Sequence, residues 1–183
     1  MKINAIEFSQ GDKKMYISVI KAKDLVAKAK VDIFDPLKGE GYQRELSERR
    51  IKDFSVYVRE AFKLSPLSIL ISIRNSENLK YSNGTLEIPD DEQWWIVDGQ
   101  HRKEGLRDAI QKDKSIENYE VPVVFVPFRD VYEEALQFLI INRTQKPVRT
   151  DLAERILKGA RERKGLEELE KIRAKGALKR VLE

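Results

Sequence analysis

The stretch Trp94-Trp95-Ile96-Val97-Asp98-Gly99-Gln100-His101-Arg102 decides how this chain is read. Four apolar, strand-favouring residues run into Asp-Gly, and beyond the break the spacing turns helical, with Leu106, Ala109 and Ile110 on one side of a predicted helix from His101 to Lys112. A strand that ends at glycine and feeds a helix start aims several backbone N–H groups at one spot, where the helix dipole adds partial positive charge. Arg102 and the single histidine of the chain, His101, stand at the same spot. The corner therefore reads as an anion site. Phosphate is the ligand class it suits, since a guanidinium fork and free amides both match its oxygens.

Working outward, the pattern alternates strands and helices. Ile3 to Phe8 and Met15 to Ile20 read as a hairpin around Gln10-Gly11-Asp12, followed by a short helix near Ala22 to Ala29 and a glycine-punctuated loop, Gly39-Glu40-Gly41. Ser47 is placed to cap a helix whose apolar stripe is Ile51, Phe54, Val58 and Phe62. Pro66 to Ile73 and Val121 to Val126 are nearly continuous apolar runs, the mark of strands buried on both faces. Asn83-Gly84 reads as part of a polar loop between strands. From Val131 to Ile141 apolar residues cover most of a helix circumference, which predicts a core helix. Thr150 or Asp151 then caps a further helix, and the chain divides into an α/β domain over 1–150 and a helical extension over 151–183 that could open a longer helical region.

Composition narrows the chemistry. With 183 residues the chain has room for one ordinary domain plus an appendage. It has no cysteine and one histidine, so disulfides, thiol nucleophiles, thiolate sites and multi-histidine zinc sites are excluded, and any metal must be held by oxygens. No apolar run has the length of a membrane span and no secretory h-region follows Met1, which predicts a cytoplasmic protein without a membrane partner. The net charge of +4 is modest, but from Asn142 to Lys164 eight Lys/Arg face three acids. That local excess reads either as a solvated helix face or as a phosphate-contacting surface.

Asp98-Gly99-Gln100-His101-Arg102 resembles the signature of the DGQHR-domain proteins, a group that includes the DndB-type proteins of DNA sulfur-modification systems. Gly41-Tyr42-Gln43-Arg44, Arg49-Arg50-Ile51, the Pro66 to Ile73 strand and Ile141-Asn142-Arg143-Thr144-Gln145 resemble the family's other motifs in order, so the likeness spans about Met15 to Leu157. That group is in turn similar to the ParB/sulfiredoxin-like superfamily. The resemblance implies an α/β fold with a mixed sheet, flanking helices and a C-terminal helical extension, and a Gly-x-x-Arg turn that holds nucleotide phosphates. Gly99, Gln100, His101 and Arg102 take the positions of the ParB turn. Asn142 matches the asparagine of a Glu-Asn pair that helps hold metal in ParB proteins, but Ile141 replaces the acid. Sulfiredoxins carry their catalytic cysteine where this chain has Gln100, so that chemistry is excluded.

The candidate ligand residues are Gly99, Gln100, His101, Arg102, Gln43, Arg44, Asn142, Arg143 and Gln145. Lys146, Arg149, Arg155 and Lys158 are the candidate DNA contacts, and Asp98 and Glu104 the candidate catalytic groups, with no dedicated metal ligands. Asp98 either caps the helix or handles a cation or a water, and both readings stand. His101 serves neutral as a hydrogen-bonding group or charged as a phosphate partner. Arg50 reads more readily as a surface ion pair. The expected ligand is a nucleoside triphosphate, with magnesium as its companion, the expected partner DNA, and a homo-oligomer is compatible. The expected function is that of a regulator or accessory factor in a DNA-modification or mobile-element defence system. The alternative is a nucleoside-triphosphate-dependent enzyme, NTPase, kinase or nuclease-like, working through Asp98 or Glu104.

Overall fold

In the computed structural model the described residues are 1–144, apart from 36, 39, 61–63, 75, 76 and 78. The expected amino-terminal hairpin forms from β1 (Lys2–Gln10) and β2 (Lys13–Lys21), with Ala5 opposite Ser18 and Phe8 opposite Met15. Period-two alternation buries Tyr16, Ser18 and Ile20 on one face and turns Ile17 and Val19 outward on the other. α1 (Ala22–Lys28) follows, then β3 (Ala29–Val31), a three-residue strand that the sequence did not reveal. α2 (Glu48–Glu60) is the helix expected after Ser47, and Phe62 lies outside the described residues.

β4 (Ile69–Ile73) is shorter than the apolar run suggested, because the carbonyls of Leu67 and Ser68 are taken by the Arg102 guanidinium and the ladder begins after them. β5 (Lys80–Ser82) and β6 (Thr85–Glu87) form a second hairpin across Asn83-Gly84. Both turn residues have positive φ, 49° and 76°, the geometry that matches the twist of a two-residue hairpin, so the polar-loop reading is corrected here. β7 (Trp94–Asp98), α3 (Gln100–Lys112), a 3-10 turn (Lys114–Asn118), β8 (Glu120–Val126) and α4 (Val131–Thr144) complete the described chain.

The eight strands make one mixed sheet in the order β3-β7-β4-β8-β2-β1-β6-β5. β7 runs parallel to β3 and antiparallel to β4, and β4 runs parallel to β8. On one face Ile69, Ile71, Ile73, Trp94, Ile96, Val123 and Phe125 pack against Leu25, Val58, Leu106 and Ala109 of the three preceding helices. Trp94 meets Phe125 edge-on at 5.0 Å. This is the main core, and burying side chains of that size contributes roughly 1.5–3 kcal/mol each.

The opposite face carries a smaller cluster, Met15, Val97, Val126 and Phe128, against which Phe138 of α4 packs. Here the expectation of a core helix fails. Glu134 is buried, but Tyr132, Leu136, Leu139 and Ile140 are between 47 and 85 % exposed. One helix on a wide sheet can bury only the stripe that touches it, and its remaining apolar residues face outward beside a cavity of about 470 Å³ bordered by Phe8, Met15, Leu70 and Leu136. The expected cap at Thr150 or Asp151 and the 151–183 extension lie outside the described residues.

Candidate functional site

The corner forms as the Asp-Gly break requires. β7 ends at Asp98, Gly99 adopts φ 99° and ψ 16°, and α3 starts at Gln100. A side chain at position 99 would be strained by that φ and would also meet the Ile69 side chain at 2.9 Å and the Arg102 guanidinium at 3.0 Å. Lys103 N–H donates to the Gly99 carbonyl at 2.9 Å, closing the first turn, and no side chain caps the helix. The N–H groups of Gln100, His101 and Arg102 precede that first bond, the orphan donors of any helix start. Asp98 is thus not a cap. Its Oδ2 accepts from Arg102 at 3.2 Å.

Arg102 is committed to the protein. Its guanidinium donates to the carbonyls of Leu67 and Ser68 as well as to Asp98, so it clamps the entry of β4 to the corner. Burial holds its pKa down, opposed by Asp98.

His101 connects the corner to a second helix. Its Nε2 accepts the backbone N–H of Ser47 at 3.1 Å, which places the ring proton of the neutral form on Nδ1. Ser47 sits at the start of α2: its carbonyl accepts from Ile51 N at 3.1 Å and its Oγ from Arg50 N at 3.4 Å. Two helix amino-termini, each opening 13 residues, are therefore stitched together by one side-chain bond. The His101 pKa is pushed down to about 4, first by burial and then by the charges of Arg50 and Arg44, with Asp98 opposing. His101 is consequently neutral at ordinary pH in the unliganded protein.

Arg44 and Arg50 are exposed, and neither has a carboxylate partner among the described residues. The ion pair expected for Arg50 is not formed there. Arg44 is positioned by its neighbour. Gln43 is fully buried, its Nε2 donating to the Ile96 carbonyl and, at 3.3 Å, to the Tyr42 hydroxyl, while its backbone N–H donates to the Asp32 carbonyl at 3.0 Å. Gly41 makes this approach possible: it has φ 78°, and a Cβ there would lie 2.2 Å from the Ile33 carbonyl oxygen. Two buried amide oxygens, Gln43 Oε1 and Gln100 Oε1, have no hydrogen-bond partner. An acceptor stranded in this way carries a desolvation cost unless a donor reaches it.

The remaining candidates have partners within the protein or lie outside the described residues. Glu104 accepts from Lys103 at 2.7 Å and lies 3.3 Å from Arg107, so it is doubly paired. Asn142 is exposed on α4 and donates to the Phe138 carbonyl of its own helix at 2.8 Å. Arg143 belongs to α4, with its side chain outside the described residues, as are Gln145, Lys146, Arg149, Arg155 and Lys158.

Sequence reasoning missed a second polar cluster on the far side of β7. Arg74 donates to Asp32 at 2.6 Å and to both oxygens of buried Glu134 at 2.8 Å, Ser72 donates to Glu134 at 2.6 Å, and the Tyr42 hydroxyl donates to Glu134 at 3.3 Å. The Arg74 guanidinium stacks on Trp95 at 4.0 Å, occupying the aromatic face that the double tryptophan leaves outside the main core. The cluster pins α4 to the sheet and to the segment that carries Arg44. Glu134, an acid in the first turn of a largely apolar helix, was the signal for it.

Magnesium prefers oxygen ligands at near-octahedral geometry. The corner does not supply them readily: Asp98 is held by Arg102, Glu48 by Lys52 and Glu104 by two cations. Among the described residues no group of three or more His, Cys, Asp or Glu could hold a metal. Among the described residues, Asp98, Glu48 and Glu104 are each engaged with a cation and are not ready ligands for the ion.

This mixed sheet, with a strand-to-helix glycine turn on one side and flanking helices, defines a ParB-like fold. A similar solved structure is the C-terminally truncated chromosome-partitioning protein ParB from Caulobacter crescentus, complexed with CTP-gamma-S, at 16 % identity over 84 % of this chain and 68 % of that one, with a TM-score of 0.52. The chain belongs to the DndB family, described as DNA-sulfur modification-associated, whose profile matches residues 3–155. A search of curated proteins returned no match. No helix among the described residues is long and apolar enough to cross a membrane.

Proposed function

We propose that this chain is a nucleotide-binding module that serves a DNA-modification system as a regulator or accessory factor. The observation that carries the reading is the Ser47–His101 bond, which joins the amino-termini of α2 and α3 beside two arginines that have no carboxylate partner among the described residues. Each helix start contributes about half a positive charge, and Arg44 and Arg50 contribute one each, so the spot is matched to a polyanion. The buried, unpartnered amide oxygen of Gln100 at the start of α3 is an acceptor that an N–H or O–H of a nucleoside would satisfy. The CTP analogue on the similar ParB structure and the family's tie to DNA sulfur modification support the same reading.

The test is a calorimetric and thermal-shift screen of the four ribonucleoside triphosphates, because a ligand that binds only the folded state raises its melting temperature. Binding of at least one, weakened about tenfold or more by Arg44→Ala or Arg50→Ala, is the expected result, a loss equivalent to one charge-assisted hydrogen bond. Absence of binding by all four overturns the proposal. The enzymatic alternative has less support, since both candidate catalytic carboxylates, Asp98 and Glu104, are paired with cations.

A further inference from the structure

We infer that the phosphates of the ligand are taken up as the free anion, with Arg44, Arg50 and the two joined helix starts standing where a divalent cation would otherwise stand. The inference rests on the nucleotide-binding reading above and goes further, to the ionic form that binds.

A metal ion bound with a nucleotide does two things: it neutralises phosphate charge, and it is itself held by carboxylates or carbonyls of the protein. Here the first task is already done. The two exposed guanidinium groups and two half-charges of helix dipole amount to about three positive charges at one spot. The second task finds Asp98 and Glu104 engaged. Asp98 accepts from Arg102 at 3.2 Å, and that guanidinium is itself fixed to Leu67 and Ser68, so freeing the carboxylate would unpair a partly buried arginine and loosen the entry of β4. Glu104 is bonded to buried Lys103, and releasing it would leave that ammonium without its partner. Both changes are costly, because a buried charge left unpaired loses more than the pair gains.

Independent of charge, Gln100, the first residue of α3, is buried with its amide oxygen unpartnered. That oxygen is an acceptor, and a ligand N–H or O–H at the helix start would satisfy it. A cation would be drawn to the same oxygen, but it would face two arginines and two positive helix ends. The electrostatics of the corner therefore favour a donor group on the ligand over a metal ion. Magnesium in solution also competes for the phosphate oxygens and lowers the charge of the ligand, which weakens its attraction to the arginines.

The experiment is isothermal calorimetry of the full chain with each ribonucleoside triphosphate, once in EDTA and once in excess magnesium. Binding in EDTA that is equal to, or about threefold tighter than, binding in magnesium is the expected result, the size of a partly screened charge effect. Arg50→Gln should lower affinity in EDTA by about tenfold and lower it less in magnesium, where the ligand carries less charge. Because Arg50 is exposed and has no carboxylate partner among the described residues, its replacement should leave the melting temperature of the free protein nearly unchanged at neutral pH. Binding that requires magnesium overturns this inference and leaves the nucleotide-binding proposal standing. Binding under neither condition overturns the proposal itself, and this inference with it.

Discussion

His101 is the chain's single histidine, so its ring resonances in a proton NMR spectrum report on one site without assignment. In the folded protein burial and the charges of Arg50 and Arg44 push its pKa down to about 4, against an ordinary value near 6.5. At pH 6 an unperturbed ring would be about three-quarters protonated, whereas one with a pKa of 4 is protonated in only about one molecule in a hundred. The ring shifts should therefore stay flat from about pH 8 down to about pH 5.5, the range in which a free histidine completes most of its titration. Replacing Arg44 and Arg50 together by Gln removes the two repulsive charges and should move the midpoint upward, while burial keeps it below the ordinary value. A bound phosphate ligand should move it upward too, by neutralising the same arginines. The sign for stability follows: a base with a depressed folded pKa favours the unfolded chain when protonated. Its contribution is complete above about pH 6.5 and is lost as pH falls towards about 4. A titration midpoint between about pH 6 and 7 in the unliganded protein would refute the placement of the ring between Ser47 and the two arginines.

Glu134→Leu should destabilise the fold by about 3–5 kcal/mol in urea unfolding, because buried Glu134 is the shared acceptor of Ser72, Arg74 and Tyr42, and Arg74→Met in the same chain should recover part of the loss. A loss under about 1 kcal/mol would show that the cluster does not hold α4 in place. Gly41→Ala should be far more damaging than Gly84→Ala in the same assay. Both residues have positive φ, but only at position 41 does the new Cβ meet a backbone oxygen at 2.2 Å, and equal losses would contradict that geometry. If the basic stretch from Asn142 to Lys164 contacts DNA through phosphates, the affinity for duplex DNA measured by fluorescence anisotropy should fall steeply with salt, and a flat response between about 50 and 200 mM would count against it.

The strand-to-helix corner was legible because its signals are local: Trp94 to Val97 sets the strand, Asp-Gly breaks it, and Leu106 and Ala109 phase the helix. The β5–β6 hairpin was not, although Asn-Gly is a strong turn signal. Its strands are three residues each, too short for alternation to register, and Leu86 alone is buried in them. α4 was misread because an apolar circumference records composition and not the width of the surface available to cover it. The orientation of the side chains at the corner was hidden for another reason. Arg102 turns to carbonyls 34 and 35 residues away, and His101 to an amide 54 residues away, separations that no local pattern encodes. Arg50 became a site residue only once α2 was seen to start beside that imidazole.

The locking of Gln43 carries a consequence for the kinetics of its neighbour. Its backbone is tied to Asp32 and Phe34, and its side chain is wedged against Ile96, so the main chain at Arg44 is fixed from one side before any ligand arrives. Ordering a residue's backbone carries a conformational entropy cost of about 1–2 kcal/mol, and here folding has absorbed part of it ahead of the encounter. Pre-organisation of this kind lengthens the residence time of a complex more than it hastens its formation. A chain loosened at Gln43 should therefore release its ligand sooner while capturing it at nearly the same rate.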